Sequence, residues 1–347
     1  MELKHLSGSD KDLWDNLVEK IPESGFMQSW AWSLFKEKEG QKVLRLGVFD
    51  GKTLCAGAMV YYVPSMIGAS ALELPHGPVL PWHEPAKAAQ AFSTLFEELK
   101  KIAQEIGAPM ARIEPFMMAP IPAFIGKVVR APLDLIPTPT LLVPVSWDDE
   151  GILSQMTAKG RYNVKLAQKK GVEVGWSVDE TALDDFYSLF ELTFHRHDFA
   201  GESRSFFQNM LLALRSDHRI RIYTARYRGM LLASAITVFC GRRATYLYGG
   251  NLPFLSSAMA SYAIHWQMIK DAREAGCLEY DFYGIAPEGQ PFHPYAKFSQ
   301  FKSRFGGRRV STVGAHDIYF YSQLAKMWVR SAGSVQNKEV FHGIVAA

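Results

Sequence analysis

The feature that most limits what this chain can fold into is an internal repeat. The first copy spans residues 43–116. It opens on an apolar run, VLRLGVF (43–49), then a hairpin signal at Asp50-Gly51 and a second apolar run, LCAGAMV (54–60). ALEL (71–74) leads into Gly77-Pro78. An amphipathic stretch, 87–105, ends at Gly107, and MARIE (110–114) completes the copy. The second copy spans residues 220–285 in the same order. Its segments are IRIYTA (220–225), a turn at Arg228-Gly229, LLASAITV (231–238), ATYLY (244–248) before Gly249-Gly250, a helical stretch 257–274 ending at Gly276, and LEYDF (278–282). Short apolar runs bounded by turn residues read as strands, and long runs with apolar positions three and four apart read as helices. Gly107 and Gly276 occupy equivalent places, as left-handed helix caps. Two copies of strand, turn, strand, strand, helix and strand predict a mixed α+β protein of two tandem domains, each a mostly antiparallel sheet with flanking helices.

A length of 347 residues suits two domains. Each copy has a helical lead-in, 11–20 and 29–38 for the first, 148–170 and 181–194 for the second. The Pro-rich stretch 132–144 reads as an extended linker, and 319–330 reads as a helix that packs back on the first domain. The expected division is therefore 1–147, 148–309 and a C-terminal segment, 310–347.

Hydrophobic residues make up 48% of the chain, enough for a core in each half. No run of 18 apolar residues occurs, so no transmembrane helix is expected. Residues 1–10 lack a basic segment followed by an apolar one, which argues against a secretory signal. Cys55, Cys240 and Cys277 make neither a metal spacing nor a disulfide framework. The expectation is a soluble, cytoplasmic protein without a metal or cofactor, and a monomer. Net charge is −2 over 1–147 and +4 over 148–309. That excess is too small for a dedicated nucleic-acid-binding protein but suits a phosphate-bearing partner.

Three stretches carry candidate chemistry. KGRYNVKLAQKK (159–170) has five basic residues and no acid. Arg161, Lys165 and Lys169 fall at i, i+4 and i+8, on one helix face. Such a stripe is either solvated or faces an anion. GFMQSWAWSLFKEKEG (25–40) sets Lys36 one helical turn after Trp32. A lysine beside aromatic surface binds a phosphate or planar group, although such a Trp is more often core. FYGIAPEGQPFHPYAKFSQFKSRFGGRR (282–309) is a Gly-, aromatic- and base-rich segment directly after a strand, a common place for a site. Within it Lys302, beside Phe301, is suited to stabilising a developing oxyanion. Asp281, at a strand end, is either a proton acceptor or, more commonly in such a place, a buried structural carboxylate. His195, Arg196, His197 and Asp198 do not make a metal site: histidines at i and i+2 point apart on a helix and no third ligand is near. There is no nucleophile elbow, Walker loop or dinucleotide fingerprint.

Several motifs in one order resemble a known family. They are FMQSWAWSLFKEKEG, MTAKGRYNVKLAQKKGV (156–172), YLYGGN (246–251) followed by ASYAIHWQMIKDAREAG, then YDFYGIAP (280–287) and QFKSRFGG (300–307). The chain is similar across residues 26–307 to the Fem-type peptidyltransferases, the FemA/FemX family that builds peptidoglycan cross-bridges. The resemblance implies two acetyltransferase-like domains, in the compact form without a coiled-coil arm. It implies transfer of an amino acid from aminoacyl-tRNA to an amine on the peptide stem of a peptidoglycan precursor, by aminolysis of the ester. A lipid-linked acceptor would bring the protein to the membrane periphery. By position, Lys36 and Arg204 resemble the residues that hold the precursor's diphosphate. Tyr248, with Tyr246 beside it in sequence, resembles the tyrosine lining the precursor groove. Phe301 and Lys302 resemble the Phe-Lys pair of the acyl-transfer centre. Gln208 stands where the family has Tyr, a departure at the peptide-stem contact. Lys159, Arg161, Lys165 and Lys169 are the candidates for contact with tRNA. Two other readings are an acyl-CoA N-acyltransferase and a non-catalytic RNA- or anion-binding module. The first needs a Q/R-x-x-G-x-G/A turn at a helix start, and neither GGNLP (249–253) nor GPVLP (77–81) supplies one.

Overall fold

The computed structural model describes residues 1–64, 70–197 and 201–320. The chain divides into two compact units. In chain order the first contains β1 (Glu2–His5), α1 (Lys11–Lys20), α2 (Trp30–Lys38), β2 (Val43–Asp50), β3 (Thr53–Val63), β4 (Ala71–Pro75), α3 (Pro85–Ile106), β5 (Met110–Glu114) and β6 (Val129–Arg130). The second contains β7 (Thr140–Pro144), α4 (Asp149–Gln155), α5 (Ala158–Lys170), β8 (Glu173–Ser177), α6 (Glu180–His197), α7 (Arg204–Leu214), β9 (Ile220–Tyr227), β10 (Met230–Cys240), β11 (Arg243–Asn251), α8 (Ala260–Glu274), β12 (Glu279–Gly284), α9 (Ala296–Lys302) and β13 (Arg308–Val310). Then β14 (His316–Tyr319) joins the first unit's sheet.

The repeat extends to every strand. One sheet runs β1-β2-β3-β4-β5-β14-β6 and the other, read from its far edge, β8-β9-β10-β11-β12-β7-β13. In both, one neighbouring pair is parallel, β4 with β5 and β11 with β12, and the described neighbours are otherwise antiparallel. A helix joins the parallel pair in each unit, as a parallel connection requires. Both units are therefore mixed α+β sheets with flanking helices. The helix cap Gly107 is left-handed at φ 69°, and the hairpin turn at Arg228-Gly229 has φ 52° and 76°, the mirror-image turn that matches strand twist.

Two sequence expectations shift. The stretch 132–144 is not linker throughout: residues 140–144 form β7, buried between β12 and β13, so this strand belongs to the second unit and the boundary falls before Pro137. The helix expected over 148–170 breaks at Met156–Thr157, where the Thr157 hydroxyl accepts the Gly160 N–H at 3.1 Å and starts α5 afresh. The expected helix over 319–330 lies, beyond Phe320, outside the described residues. Edge strands β1 and β8 and helix α7 were not anticipated. The edges are mostly exposed and so lack an apolar rhythm.

The first unit holds one carboxyl under tension. Glu114 ends β5 and is 1% exposed. It accepts hydrogen bonds from the Leu135 N–H at 2.6 Å and the Ile136 N–H at 3.2 Å. Burial, helped by the Asp134 charge, pushes its pKa up to about 8. A carboxyl whose folded pKa exceeds its unfolded value holds its proton longer in the native state, so stability falls as pH rises through that window. Glu114 by itself is expected to lower the unfolding free energy by ~2–4 kcal/mol between about pH 5 and pH 8.5. Urea titrations across that range should find Glu114→Gln gaining that much on the parent protein; an equal pH dependence in the two would mean the carboxyl is ionised throughout.

Candidate active site

The parallel strands of the second unit pair over only three positions, Arg243 with Glu279, Ala244 with Tyr280 and Thr245 with Asp281. Beyond them β11 stays with β10 while β12 stays with β7, so the two strands part. A bulge lies at each side of the gap. On β11 Thr237 faces Tyr246 and Ile236 faces Tyr248, leaving Leu247 unpaired. On β12 the register jumps between Asp281 and Gly284, and Tyr283 sits in the left-handed region at φ 59°. A non-glycine there costs roughly 1–2 kcal/mol, so something must hold it. Asp281 does: its carboxylate accepts the Tyr283 N–H at 2.8 Å and the Thr140 hydroxyl of β7. Burial raises the Asp281 pKa, with Arg243 opposing. The structural alternative for Asp281 thus has two named partners, and proton acceptance has to compete with both.

Lys302 occupies this region. It ends α9, is 2% exposed, and its ammonium donates to the Gly284 carbonyl at 2.7 Å. The Nζ stands 5.8 Å from the centre of the Tyr246 ring. Burial pulls its pKa down to about 7, while Asp281 pulls it back up. A buried ammonium with so few partners is costly in an apolar interior. The surroundings are aromatic: Tyr246, Tyr280, Phe282 and Phe305 are buried, and Phe301 packs edge-on to Tyr262 at 5.0 Å. His265 of α8 stands 4.6 Å from the Tyr246 ring and 5.4 Å from Phe301, with Nδ1 2.9 Å from the Tyr280 hydroxyl. Burial, then the Lys302 charge, holds its pKa well below the usual imidazole value, so it stays neutral. The arrangement offers one fixed N–H donor, the Lys302 ammonium, in a low-dielectric wall, which suits a developing oxyanion.

The bulge at Leu247 decides where the two candidate tyrosines go. In an unbroken strand Tyr246 and Tyr248 would share a face. Here Tyr246 packs on His265 of α8, whereas Tyr248 packs on Phe190 of α6 at 5.9 Å and Phe207 of α7 at 4.9 Å. They lie on opposite faces of the sheet. The following glycines serve those faces in turn: a Cβ at Gly249 would lie 2.2 Å from the Tyr246 hydroxyl, and one at Gly250 2.5 Å from the Leu189 carbonyl carbon.

Arg204 starts α7. Its guanidinium bonds Asp184 at 2.7 Å and Glu180 at 2.8 Å, both from α6, and these carboxylates raise its pKa. Gln208, one turn on, donates to the same Glu180 at 3.2 Å. Arg204 and Gln208 are therefore brought together, with an anion already in the fork. Lys36 belongs to the first unit, half-buried on α2 with its Nζ 5.5 Å from the Phe35 ring. Trp30 and Trp32 are core residues, Trp32 packing on Phe26 at 4.7 Å. Lys159, Lys165 and Lys169 are exposed on α5, but Arg161 is half-buried and donates to the Met156 carbonyl past the end of α4. Arg161 thus joins two helices and is set apart from the stripe it seemed to share. Near the discounted metal motif, Arg196 bonds Asn251, and Asp198 lies outside the described residues.

His265, Thr140 and Tyr283 were not anticipated as parts of this region. A single histidine in ASYAIHWQMIK carries no spacing signal, and Thr140 lay in the presumed linker. Helix α7, which carries Arg204, did have a readable sign, the Ser203 hydroxyl capping Phe206 N–H before an apolar run.

Two sheets of one topology, each with one parallel pair, define a tandem protein of the acetyltransferase (GNAT) type. Sequence profiles agree: residues 158–295 match an acetyltransferase (GNAT) domain and residues 10–129 match the FemAB family. The UDP-N-acetylmuramoylpentapeptide-lysine N(6)-alanyltransferase of Weissella viridescens is 30% identical over 141 residues, 41% of each chain. The lipid II:glycine glycyltransferase of Staphylococcus aureus is 19% identical across 94% of this chain and 95% of its own. The crystal structure of FemX superposes with a TM-score of 0.83 at 18% identity, covering 95% of this chain and 100% of that one. The FemAB match, the two transferase relatives and the FemX structure together support a place for the chain in the FemABX family. Among the described residues no helix is long and apolar enough to cross a membrane.

Proposed function

We propose that this protein transfers an aminoacyl group from aminoacyl-tRNA to an amine on the peptide stem of a peptidoglycan precursor. The observation that carries the reading is Lys302, a buried ammonium held beside Tyr246 where β11 and β12 part. The names of the relatives support it, since they describe alanyl and glycyl transfer to a UDP-linked pentapeptide and to lipid II. In the reaction the acceptor nitrogen attacks the ester carbonyl carbon and a C–N bond forms. The carbonyl electrons move onto oxygen, where Lys302 donates to the oxyanion beside its Gly284 contact. Collapse breaks the bond to the ribose oxygen, and the proton lost by the amine ends on that hydroxyl. The enzyme's contributions are alignment and oxyanion stabilisation. Phe301 walls the centre, Tyr246 lies beside it, and Tyr248 and Gln208 serve the acceptor on the α6–α7 side. Arg204 holds a phosphate of the precursor by exchanging its carboxylate partners for phosphate oxygens.

The match of residues 158–295 to a GNAT domain favours a second reading, transfer from acyl-CoA. The segment before α8, NLPFLSSAM, lacks the glycine turn that would cradle a pyrophosphate. To test the first reading, purified protein is incubated with UDP-linked or lipid-linked pentapeptide, total tRNA, synthetases and mixed amino acids. Mass spectrometry is expected to find the precursor heavier by one amino-acid residue, and ribonuclease to abolish the gain. A gain that survives ribonuclease would refute the tRNA donor.

A further inference from the structure

Helix α5 presents two unlike faces. Gly160, Asn163, Val164 and Ala167 are buried, while Lys159, Tyr162, Lys165 and Lys169 are exposed on the other side, Tyr162 at 63%. Among the described residues Lys159, Lys165 and Lys169 form no ion pair, although acids elsewhere on this unit are paired with arginines. Self-repelling cations along a helix with no acid to offset them are costly unless an external anion neutralises them. The helix is also fastened to the element that ends in Lys302. The Thr157 N–H bonds the Arg304 carbonyl at 3.1 Å, and Gly160 lies so close that a Cβ would stand 2.1 Å from that oxygen. Arg304 follows Lys302 by two residues, so a partner lying on α5 is registered to Lys302 through backbone contacts. An exposed tyrosine between lysines suits a partner that offers both phosphates and an aromatic or sugar surface.

We infer that the exposed face of α5, Lys159, Tyr162, Lys165 and Lys169, is the docking surface for an RNA, and that it delivers the RNA's acyl-bearing end to Lys302. The inference rests on the proposed donor but assigns it a place. The lysines contact phosphates over about 15 Å of helix, and Tyr162 packs on a ribose or an unpaired base. Arg161 is excluded because it is committed to the carbonyls at the end of α4.

The test is anisotropy with fluorescent, uncharged tRNA from about 50 to 300 mM salt, on the full chain. The triple variant K159A/K165A/K169A is expected to bind at least about tenfold more weakly, with the salt slope smaller by about two to three. Tyr162→Ala is expected to weaken binding several-fold with the slope unchanged. A control that removes three exposed lysines of the first unit, K20A/K52A/K127A, is expected to bind like the parent protein. If the α5 triple variant binds like the parent, or if the control weakens binding equally, the docking surface is refuted while the donor stands. If the parent protein shows no salt-dependent binding of tRNA, both fall. Circular dichroism of each variant confirms that these solvent-exposed changes leave the fold intact.

Discussion

Replacing Lys302 by methionine is expected to slow aminoacyl transfer by about 10²–10³ and to make the folded protein more stable. The two effects have one cause. The ammonium is 2% exposed, and burial lowers its pKa from 10.5 to about 7. A base whose folded pKa lies below its unfolded value destabilises the native state in full below the folded pKa. That cost fades as pH rises toward the unfolded value. Removing it stabilises the protein at neutral and acid pH. The variant also leaves the Gly284 carbonyl without its donor, which offsets part of the gain. The net expectation is roughly 1–3 kcal/mol at pH 6, shrinking toward pH 10. Urea unfolding at the two pH values, beside a single-turnover transfer assay, reads both halves. A variant that is less stable at pH 6 would mean that Lys302 serves packing, and its activity loss would then say little about chemistry.

Gly160→Ala is expected to cost roughly 3 kcal/mol or more, although alanine is the better helix former by about 1 kcal/mol. The added methyl would meet the Arg304 oxygen at 2.1 Å and its carbon at 3.0 Å. Neither atom can retreat cheaply. The backbone after Arg304 turns through Gly306 and Gly307, at φ 79° and 82°, where a Cβ would lie 2.3 Å from the Gln155 oxygen and 2.4 Å from the Leu142 oxygen. The turn is packed on α4 and β7, so displacing Arg304 drags the end of α9 and Lys302 with it. Stability and transfer should fall together. Gly175→Ala, at a position with nothing within 4 Å of the new Cβ, is the matched control and should change stability by less than about 0.5 kcal/mol. Equal effects at the two positions would remove the special place of Gly160.

The repeat was legible because its strands are central and buried, so each appears as an apolar run ending in a turn. Gly107, Asp50-Gly51 and Arg228-Gly229 supplied the punctuation, since each reflects a backbone conformation that few residues tolerate. β7 was hidden because Pro139 precedes it and Pro144 ends it, and proline reads as linker even where a short strand is paired on both sides. The faces of Tyr246 and Tyr248 were not legible, because the bulge at Leu247 leaves no mark in a run of apolar and aromatic residues. Lys302 stood out by its place among aromatic residues in a glycine-rich segment and by the resemblance of Phe301-Lys302 to the family's Phe-Lys pair; its burial depends on α9 folding into the region where β11 and β12 part. Arg161 shows the converse. Helical periodicity put it in line with Lys165, but its reach back to the end of α4 is a tertiary contact that periodicity does not contain.

The most direct test of the central claim supplies one donor at a time. Purified protein receives the pentapeptide precursor, UDP-linked or lipid-linked, with either a preformed aminoacyl-tRNA or an acyl-CoA, and the precursor is followed by mass spectrometry over a single turnover. The account predicts a mass gain of one aminoacyl residue from aminoacyl-tRNA, and none from acyl-CoA. Transfer from acyl-CoA with none from any aminoacyl-tRNA would contradict it and assign the Lys302 centre to a different acyl donor.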